Sequence, residues 1–187
     1  MSVLAEKLTY GAFKEMEFPE DDLFDYELIN GIIVRKSSPS FMHQIISTNI
    51  EYALRTYAKT FGGKMLHAPL DVVLDDNNVY HPDVFFIKKD RLGILNAKEK
   101  VVIGAPDLVV EILSKSTARY DKGEKRDIYE RYGVREYWLV EEQTNAVEVY
   151  SYTDQRYRLI EIYQNTGIVK SITLEGFEID IEEIFKD

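Results

Sequence analysis

The sequence predicts an α/β (α+β) fold in which a mixed β-sheet is flanked by helices. The centre of the chain alternates a strand, a helix and a second strand. Near the N-terminus Asn30-Gly31 joins two apolar runs, which is a strong signal for a β-hairpin. The C-terminal part alternates apolar and polar residues with period two, as an antiparallel meander does. Strands and helices in this mixture pack as helices laid on a sheet.

The composition is that of a globular protein. With 187 residues, 45% hydrophobic and 30% charged, we expect one domain spanning residues 1–187. The chain has no cysteine, which excludes disulfides and thiolate zinc sites and favours a reducing, cytoplasmic compartment. No signal peptide or membrane-spanning run is expected. The net charge of −10 opposes indiscriminate binding to nucleic acid, so any contact with phosphate must be local.

Two helices and the hairpin precede the central strands. Thr9 is expected to cap a short helix that continues through Met16 and ends before Pro19. The hairpin is "DYELINGIIVRK". From Ser40 to Phe61 the apolar residues follow a helical period, and the glycines after Phe61 end that helix.

The later elements follow from apolar runs and turn residues. In chain order we expect strands at 64–67, 70–74 and 83–87, with "DDNN" as the turn between the last two; a strand at 108–113; a helix at about 117–132; the strand "EYWLVE"; the meander around 153–155; and a short helix at 181–185.

One ionisable residue, Glu111, interrupts the apolar strand in "APDLVVEILSKST". Burying an unpaired charge costs several kcal/mol, so Glu111 should be protonated, paired with a cation or bound to a metal. Asp107 lies four residues earlier on the same strand, roughly 13 Å away, which is too far to share an ion. Asp83 opens another strand. If that strand is a neighbour, the spacing falls to about 4.8 Å, so we pair Asp83 with Glu111.

Two carboxylates with water and phosphate oxygens are the usual ligands of Mg²⁺, with Mn²⁺ as a substitute. A zinc site has no support from the spacing of the three histidines, which are expected to be surface or hydrogen-bonded residues. These are His43, His67 and His81.

On the helix after Glu111, Lys125 lies at the centre of the inward stripe, whereas Lys122, Glu124 and Arg126 point away from it. A lysine there can deliver its ammonium to a water or phosphate oxygen. The alternative is an i, i+4 pair with Asp121. Between residues 114 and 135 the sequence has seven cationic and four anionic side chains. This excess of positive charge suits a polyanionic substrate. The alternative is an ordinary solvated helix face.

Most of the chain resembles the Uma-type restriction endonuclease family, a bacterial branch of the PD-(D/E)XK nuclease superfamily. The matching segments are "YELINGIIV", "SFMHQ", "HPDVFFI", "APDLVVEILSKST" and "YDKGEKRDIYERYGVREYWLV". The resemblance implies a restriction-endonuclease-like fold and hydrolysis of DNA phosphodiesters with Mg²⁺.

The resemblance also implies roles for particular residues. Asp83 and Glu111 would be the acidic residues of the motif, with the carbonyl of Ile112 as an extra ligand and Glu27 as an upstream acidic residue that assists metal binding. His43 matches a family histidine without an assigned role. Position 113 is leucine rather than the usual lysine, so the catalytic lysine would come from the following helix. Lys125 is the candidate there, with Lys122 and Lys115 as substitutes.

Three classes of function remain open from the sequence. The first is an active DNA endonuclease, expected to be a homodimer because two sites cut both strands of a duplex most simply. The second is an inactive member of the same fold that acts as an interaction or regulatory protein. The third is a small-molecule binding module that uses the tyrosine-rich meander.

Overall fold

The computed structural model describes residues 7–18, 24–36, 38–114, 118 and 121–187. Its helices are Tyr10–Lys14 (α1), Phe41–Phe61 (α2), a π-helical segment Asp121–Lys125 that runs into Arg126–Arg131 (α3), and Ile181–Phe185 (α4). Its strands are Asp25–Ile29 (β1), Ile32–Lys36 (β2), Lys64–His67 (β3), Val72–Asp75 (β4), Asn78–Tyr80 (β5), Val84–Ile87 (β6), Leu95–Asn96 (β7), Val101–Ile103 (β8), Leu108–Leu113 (β9), Glu136–Glu141 (β10), Ala146–Thr153 (β11), Arg156–Gln164 (β12), Ile168–Lys170 (β13) and Glu178–Asp180 (β14).

The strands form two six-stranded sheets and one small pair. The first sheet has the order β2-β1-β5-β4-β8-β7, the second has the order β12-β11-β10-β9-β6-β3, and β13 pairs with β14. In the second sheet β9 is parallel to β10 and antiparallel to β6. The predicted class, a mixed sheet flanked by helices, is confirmed.

The central strands of the second sheet are covered on both faces. Helix α2 packs on one face through Ile46, Ile50 and Leu54, together with α4. The other face packs against α3 and against residues of the first sheet, including Tyr80. Because both faces of β9 are covered, all six of its residues are buried, as its apolar run predicted.

Local signals placed most elements correctly. Asn30 and Gly31 have φ of 52° and 77°, as the two central residues of the hairpin turn require. Ser40 caps α2 by accepting the backbone N–H of His43, and Gly62 follows its end. The strands at 64–67, 108–113 and 136–141 and the helix at 181–185 have the predicted bounds.

The strands predicted at 70–74 and 83–87 are shifted by one or two residues, to Val72–Asp75 and Val84–Ile87, and three other predicted elements differ more from the structure. Helix α1 stops at Lys14, and Pro19 lies outside the described residues. The "DDNN" turn leads into β5, which the sequence analysis missed because it has three residues and too short a pattern to recognise. The helix expected at about 117–132 is π-helical over Asp121–Lys125, and most of its predicted first turn lies outside the described ranges. In those ranges no helix is long and apolar enough to cross a membrane.

Candidate active site

Asp83 lies immediately before β6, beside the middle of β9. The register pairs Val84 with Val110, so one further step places Asp83 opposite Glu111. Oδ2 of Asp83 accepts the backbone N–H of Ile112 at 2.8 Å and contacts Nε2 of His43 at 3.1 Å. The two acidic residues therefore come from neighbouring strands, as the spacing argument required.

The Asp83 carboxylate also contacts a cation. Its Oδ1 lies 3.3 Å from Nζ of Lys36 on β2. Burial disfavours the ionised form, but Lys36 and His43 together hold the pKa of Asp83 well below its usual range. Asp83 is thus ionised throughout the neutral range.

Glu111 is 1% exposed and faces α3. Its Oε1 accepts the hydroxyl of Tyr129 at 3.0 Å and lies 3.2 Å from Nζ of Lys125. Burial raises the pKa of Glu111 to about 8, and the neighbouring charge of Asp83 adds to this effect, while Lys125 opposes it. Near neutral pH this carboxyl group therefore retains a proton unless another cation replaces it.

Lys125 ends the π-helical segment and points into the protein, as the helical projection predicted. Its Nζ lies 2.9 Å from Glu27, 3.2 Å from Glu111 and 3.3 Å from Asp121. The inward orientation and the i, i+4 pair with Asp121 thus occur together. Although burial disfavours the ammonium, these carboxylates hold the pKa of Lys125 well above its usual value.

Glu27 and Lys36 reach the cluster from the N-terminal hairpin. Oε1 of Glu27 accepts the backbone N–H of His81 at 2.9 Å and lies 3.8 Å from Nζ of Lys36. Burial disfavours the charge of Glu27, but Lys125 and Lys36 lower its pKa below the ordinary value. Lys36 was missed by the sequence analysis. The hairpin register could have found it, because Asp25 pairs with Lys36 and Glu27 with Val34, which places Lys36 diagonally across from Glu27 on one face.

The three histidines differ in their surroundings. His43, near the start of α2, contacts Asp83 as described. His81 is buried between Asp25 and Asp71, at 2.7 Å from each. Burial disfavours its charged form, but these two carboxylates raise its pKa to about 9. His67 is exposed and contacts the carbonyl of Ala68. All three are thus surface or hydrogen-bonded residues, as expected.

The remaining candidates lie outside the cluster. Lys122 is exposed and lies 3.4 Å from Glu141, so it does not reach the two acidic residues. Lys115 lies outside the described residues. Asp107 accepts the backbone N–H of Lys88 and pairs with Arg91, which agrees with the predicted strand-entry role.

A cleft of about 310 Å³ opens onto the cluster from the Asp83 side. Its lining includes Lys36, His43, Asp83 and Ile112, whereas Glu111 and Lys125 lie behind them. The inner end of the cleft therefore carries both a carboxylate, that of Asp83, and an ammonium group, that of Lys36. Helix α2 forms the outer wall of the cleft.

The buried cluster contains more carboxyl groups than ammonium groups, as a metal-binding site does. Four carboxyl groups, Glu27, Asp83, Glu111 and Asp121, surround only two ammonium groups, Lys36 and Lys125. Oε2 of Glu27 is buried and has no hydrogen-bond partner among the described residues. In the same ranges no three histidine or carboxylate side chains are arranged to hold an ion by themselves. Two carboxylates with water completing the shell is the arrangement that suits Mg²⁺.

The chain is similar to known proteins in sequence and in fold. Residues 11–182 match the Uma2 family, which is described as "Putative restriction endonuclease". A crystal structure of a "putative nuclease" belonging to DUF820, from Anabaena variabilis ATCC 29413, has the same fold with a TM-score of 0.76. It is 19% identical, and the similarity covers 95% of this chain and 97% of that one. None of the curated proteins matches significantly. The family match spans nearly the whole sequence and supports the interpretation of the protein as a nuclease. The chain therefore belongs to the Uma2 family.

Proposed function

We propose that this protein is a Mg²⁺-dependent endonuclease that hydrolyses phosphodiester bonds in DNA. The observation that carries the proposal is the meeting of Asp83 and Glu111, from neighbouring strands, beside two ammonium groups at the end of a cleft. A surplus of carboxylate in a buried cleft attracts a hard cation, and the family is one of nucleases.

Asp83 and Glu111 would hold the ion, with the carbonyl of Ile112 as a further ligand and Glu27 assisting. Mn²⁺ would substitute for Mg²⁺. When bound, the ion supplies positive charge that polarises a phosphate and lowers the pKa of water.

The residues of the chain prepare this site. The N–H of Ile112 and the ring of His43 fix the orientation of Asp83. Tyr129 and Lys125 fix Glu111 from behind. Lys125 is 1% exposed, so it stabilises developing negative charge from within the protein. Lys36 has a side chain that is 12% exposed and lines the cleft, so its ammonium is placed to contact a phosphate oxygen.

We further propose that the chain is a single domain, works as a homodimer and acts in the cytoplasm. Two copies would bring one site to each strand of a duplex. The compartment is inferred from the absence of cysteine in the sequence.

One observation favours a second function, that of an inactive member of the fold acting as an interaction or regulatory module. Lys36 and Lys125 already neutralise part of the cluster, and Lys125 contacts three carboxylates at once. Such an arrangement also stabilises a protein that has no need of a metal.

A nicking assay separates the two functions. Supercoiled plasmid and single-stranded circular DNA are incubated with the protein in Mg²⁺, Mn²⁺ or EDTA, alongside Asp83→Asn, Glu111→Ala and the control Glu161→Gln on exposed β12. The proposal expects metal-dependent nicking that Asp83→Asn and Glu111→Ala abolish and Glu161→Gln retains. Nicking that survives Glu111→Ala refutes the site. Absence of both nicking and metal affinity favours the interaction module.

A further inference from the structure

Three cations near the cleft have no acidic partner. Arg55 and Lys59 on α2 and Lys64 on β3 are exposed, and within the described ranges none lies at ion-pair distance from a carboxylate. Lys36 and Lys125, by contrast, are paired. On a protein of net charge −10, unpaired cations grouped on one surface are an attractive site for an anion.

These cations continue the wall of the cleft. Ser47 and Glu51 of α2 line the cleft, and Arg55 and Lys59 follow at intervals of four residues on the same side of the helix. Strand β3 runs alongside, with His67 at the cleft and Lys64 at its other end. From Glu51, the last residue of α2 that lines the cleft, to Lys59 the helix extends about 12 Å, at roughly 1.5 Å per residue. We call the surface formed by Arg55, Lys59 and Lys64 the basic track.

An exposed aromatic ring lies beside the track. Tyr52 on α2 is 74% exposed. Tyr52 lies three residues before Arg55, so the two side chains are neighbours on the surface of the helix. Cations that follow a backbone, together with rings on which bases stack, form the usual surface for a single strand of nucleic acid.

Acidic residues limit where phosphates can lie. Tyr52 also lines a groove on the side of α2 away from β3, whose opposite wall carries Glu178, Asp180 and Glu183. These carboxylates repel phosphate and leave the β3 side as the favourable path. Glu51, within the path, accepts a hydrogen bond from Ser47 at 3.0 Å.

We propose that a single strand of nucleic acid runs along the basic track into the cleft, with its phosphates on Arg55, Lys59 and Lys64 and with bases stacked on Tyr52. This inference rests on the proposed function, since it supplies the strand that the cluster would cut. It names a single, locally unpaired strand as the form that enters each cleft, also when the two copies of a homodimer act on one duplex.

The test measures binding of a fluorescently labelled single-stranded oligonucleotide by anisotropy, in EDTA and across a series of salt concentrations. We expect R55E/K59E to bind at least about tenfold more weakly at low salt. The slope of log affinity against log salt should fall by about 1.4, because each single-strand phosphate contact contributes about 0.7. The control K98E/R156E makes the same charge change at exposed cations away from the track and should bind within about twofold of the wild type.

Tyr52→Ala tests the stacking contact separately. It should weaken binding several-fold and leave the salt slope unchanged, since no charge is removed. Phe61→Ala, at the end of the same helix where Phe61 stacks on Tyr57, is the matched control and should bind as the wild type does.

The outcomes distinguish this inference from the proposed function. Unchanged binding by R55E/K59E overturns the track even if the protein nicks plasmid. Binding through the track without any nicking supports the track and refutes only the endonuclease. A change of oligomeric state in Tyr52→Ala with unchanged oligonucleotide affinity also overturns the track, because it assigns the surface to a second copy of the chain.

Discussion

Glu111 on β9 and Glu136 on the neighbouring parallel strand β10 are equally buried, at 1% and 0% exposure, but their partners differ. Glu136 accepts four hydrogen bonds from neutral donors: Nε1 of Trp138 at 2.6 Å, the hydroxyl of Ser171 at 2.7 Å, and the backbone N–H groups of Ile172 and Thr173 at 3.0 and 2.7 Å. Glu111 has one hydroxyl, one ammonium and a second acidic residue beside it.

The difference separates a carboxyl group whose hydrogen bonds are satisfied from one that is only partly compensated. The hydrogen bonds of Glu136 are complete and tie the 171–174 turn to the sheet, so there is no capacity left for a ligand. Glu111 is incompletely compensated, and its raised pKa is the consequence. The same substitution, glutamate to glutamine, should therefore have opposite effects at the two positions.

The largest expected effect is on activity. Glu111→Gln should reduce metal-dependent nicking at least about 100-fold, because it removes a ligand charge from the proposed site. Glu136→Gln should retain nicking when assayed at a temperature at which the variant is folded. Initial rates on supercoiled plasmid measure both. Equal losses in the two variants would contradict the separation of roles.

The second effect is on stability, and here Glu136→Gln should lose more than Glu111→Gln. Glu136→Gln should lower the free energy of unfolding by about 3 kcal/mol, because the amide NH₂ faces donors and finds no acceptor. Glu111→Gln should be at least as stable as the wild type at pH 7, because glutamine imitates the protonated acid without requiring the folded state to take up a proton. Urea unfolding followed by circular dichroism gives both values. A strongly destabilised Glu111→Gln would show that the Glu111 charge is structural.

The third effect is on the pH dependence of stability without metal. The pKa of Glu111 is about 8 in the folded protein, above its ordinary value of 4.5, so the folded state binds the extra proton between these values. This contribution to stability is therefore fully present below about pH 4.5 and is lost as the pH rises from there to about 8, at about 1.4 kcal/mol per pH unit. Unfolding in EDTA from pH 5 to 8.5 should show a steeper fall in the wild type than in Glu111→Gln, in which His81, with its pKa raised to about 9, still contributes a fall above about pH 6.5. A wild-type curve that coincides with the variant would contradict the shift.

The smallest effect is on metal binding. Mn²⁺ at about ten times its dissociation constant should stabilise the wild type by about 1.4 kcal/mol, which raises the melting temperature by a few degrees. Glu136→Gln should show the same increase from its lower starting point, and Glu111→Gln should show almost none. Differential scanning fluorimetry with and without EDTA measures the shift. An equal shift in all three proteins would place the metal elsewhere.

Much of the site was predictable because its residues violate local rules. Glu111 was found because a carboxyl group interrupts an apolar strand, Asp83 because "PD" opens the neighbouring strand, and Lys125 because a lysine lies on an inward helical stripe. Glu27 came from the family resemblance. Lys36 was missed because nothing within "IIVRK" itself distinguishes it from a lysine at the exposed end of a strand, and only the register of the hairpin places it on the same face as Glu27.

The sequence by itself determined four elements, because caps, turn residues and periodicity act over a few neighbouring residues. These are the long helix α2, the Asn30-Gly31 hairpin, the buried strand β9 and its adjacent strand β10. Only the tertiary structure decided the three-residue strand β5 and the division into two sheets. It also decided that Lys36 and Glu27 of the hairpin lie beside Asp83 and Glu111. These features depend on contacts between residues distant in the chain. The surroundings of Glu111 and Glu136 differ for the same reason, because what a buried carboxyl group meets is set by the segments that fold over its strand.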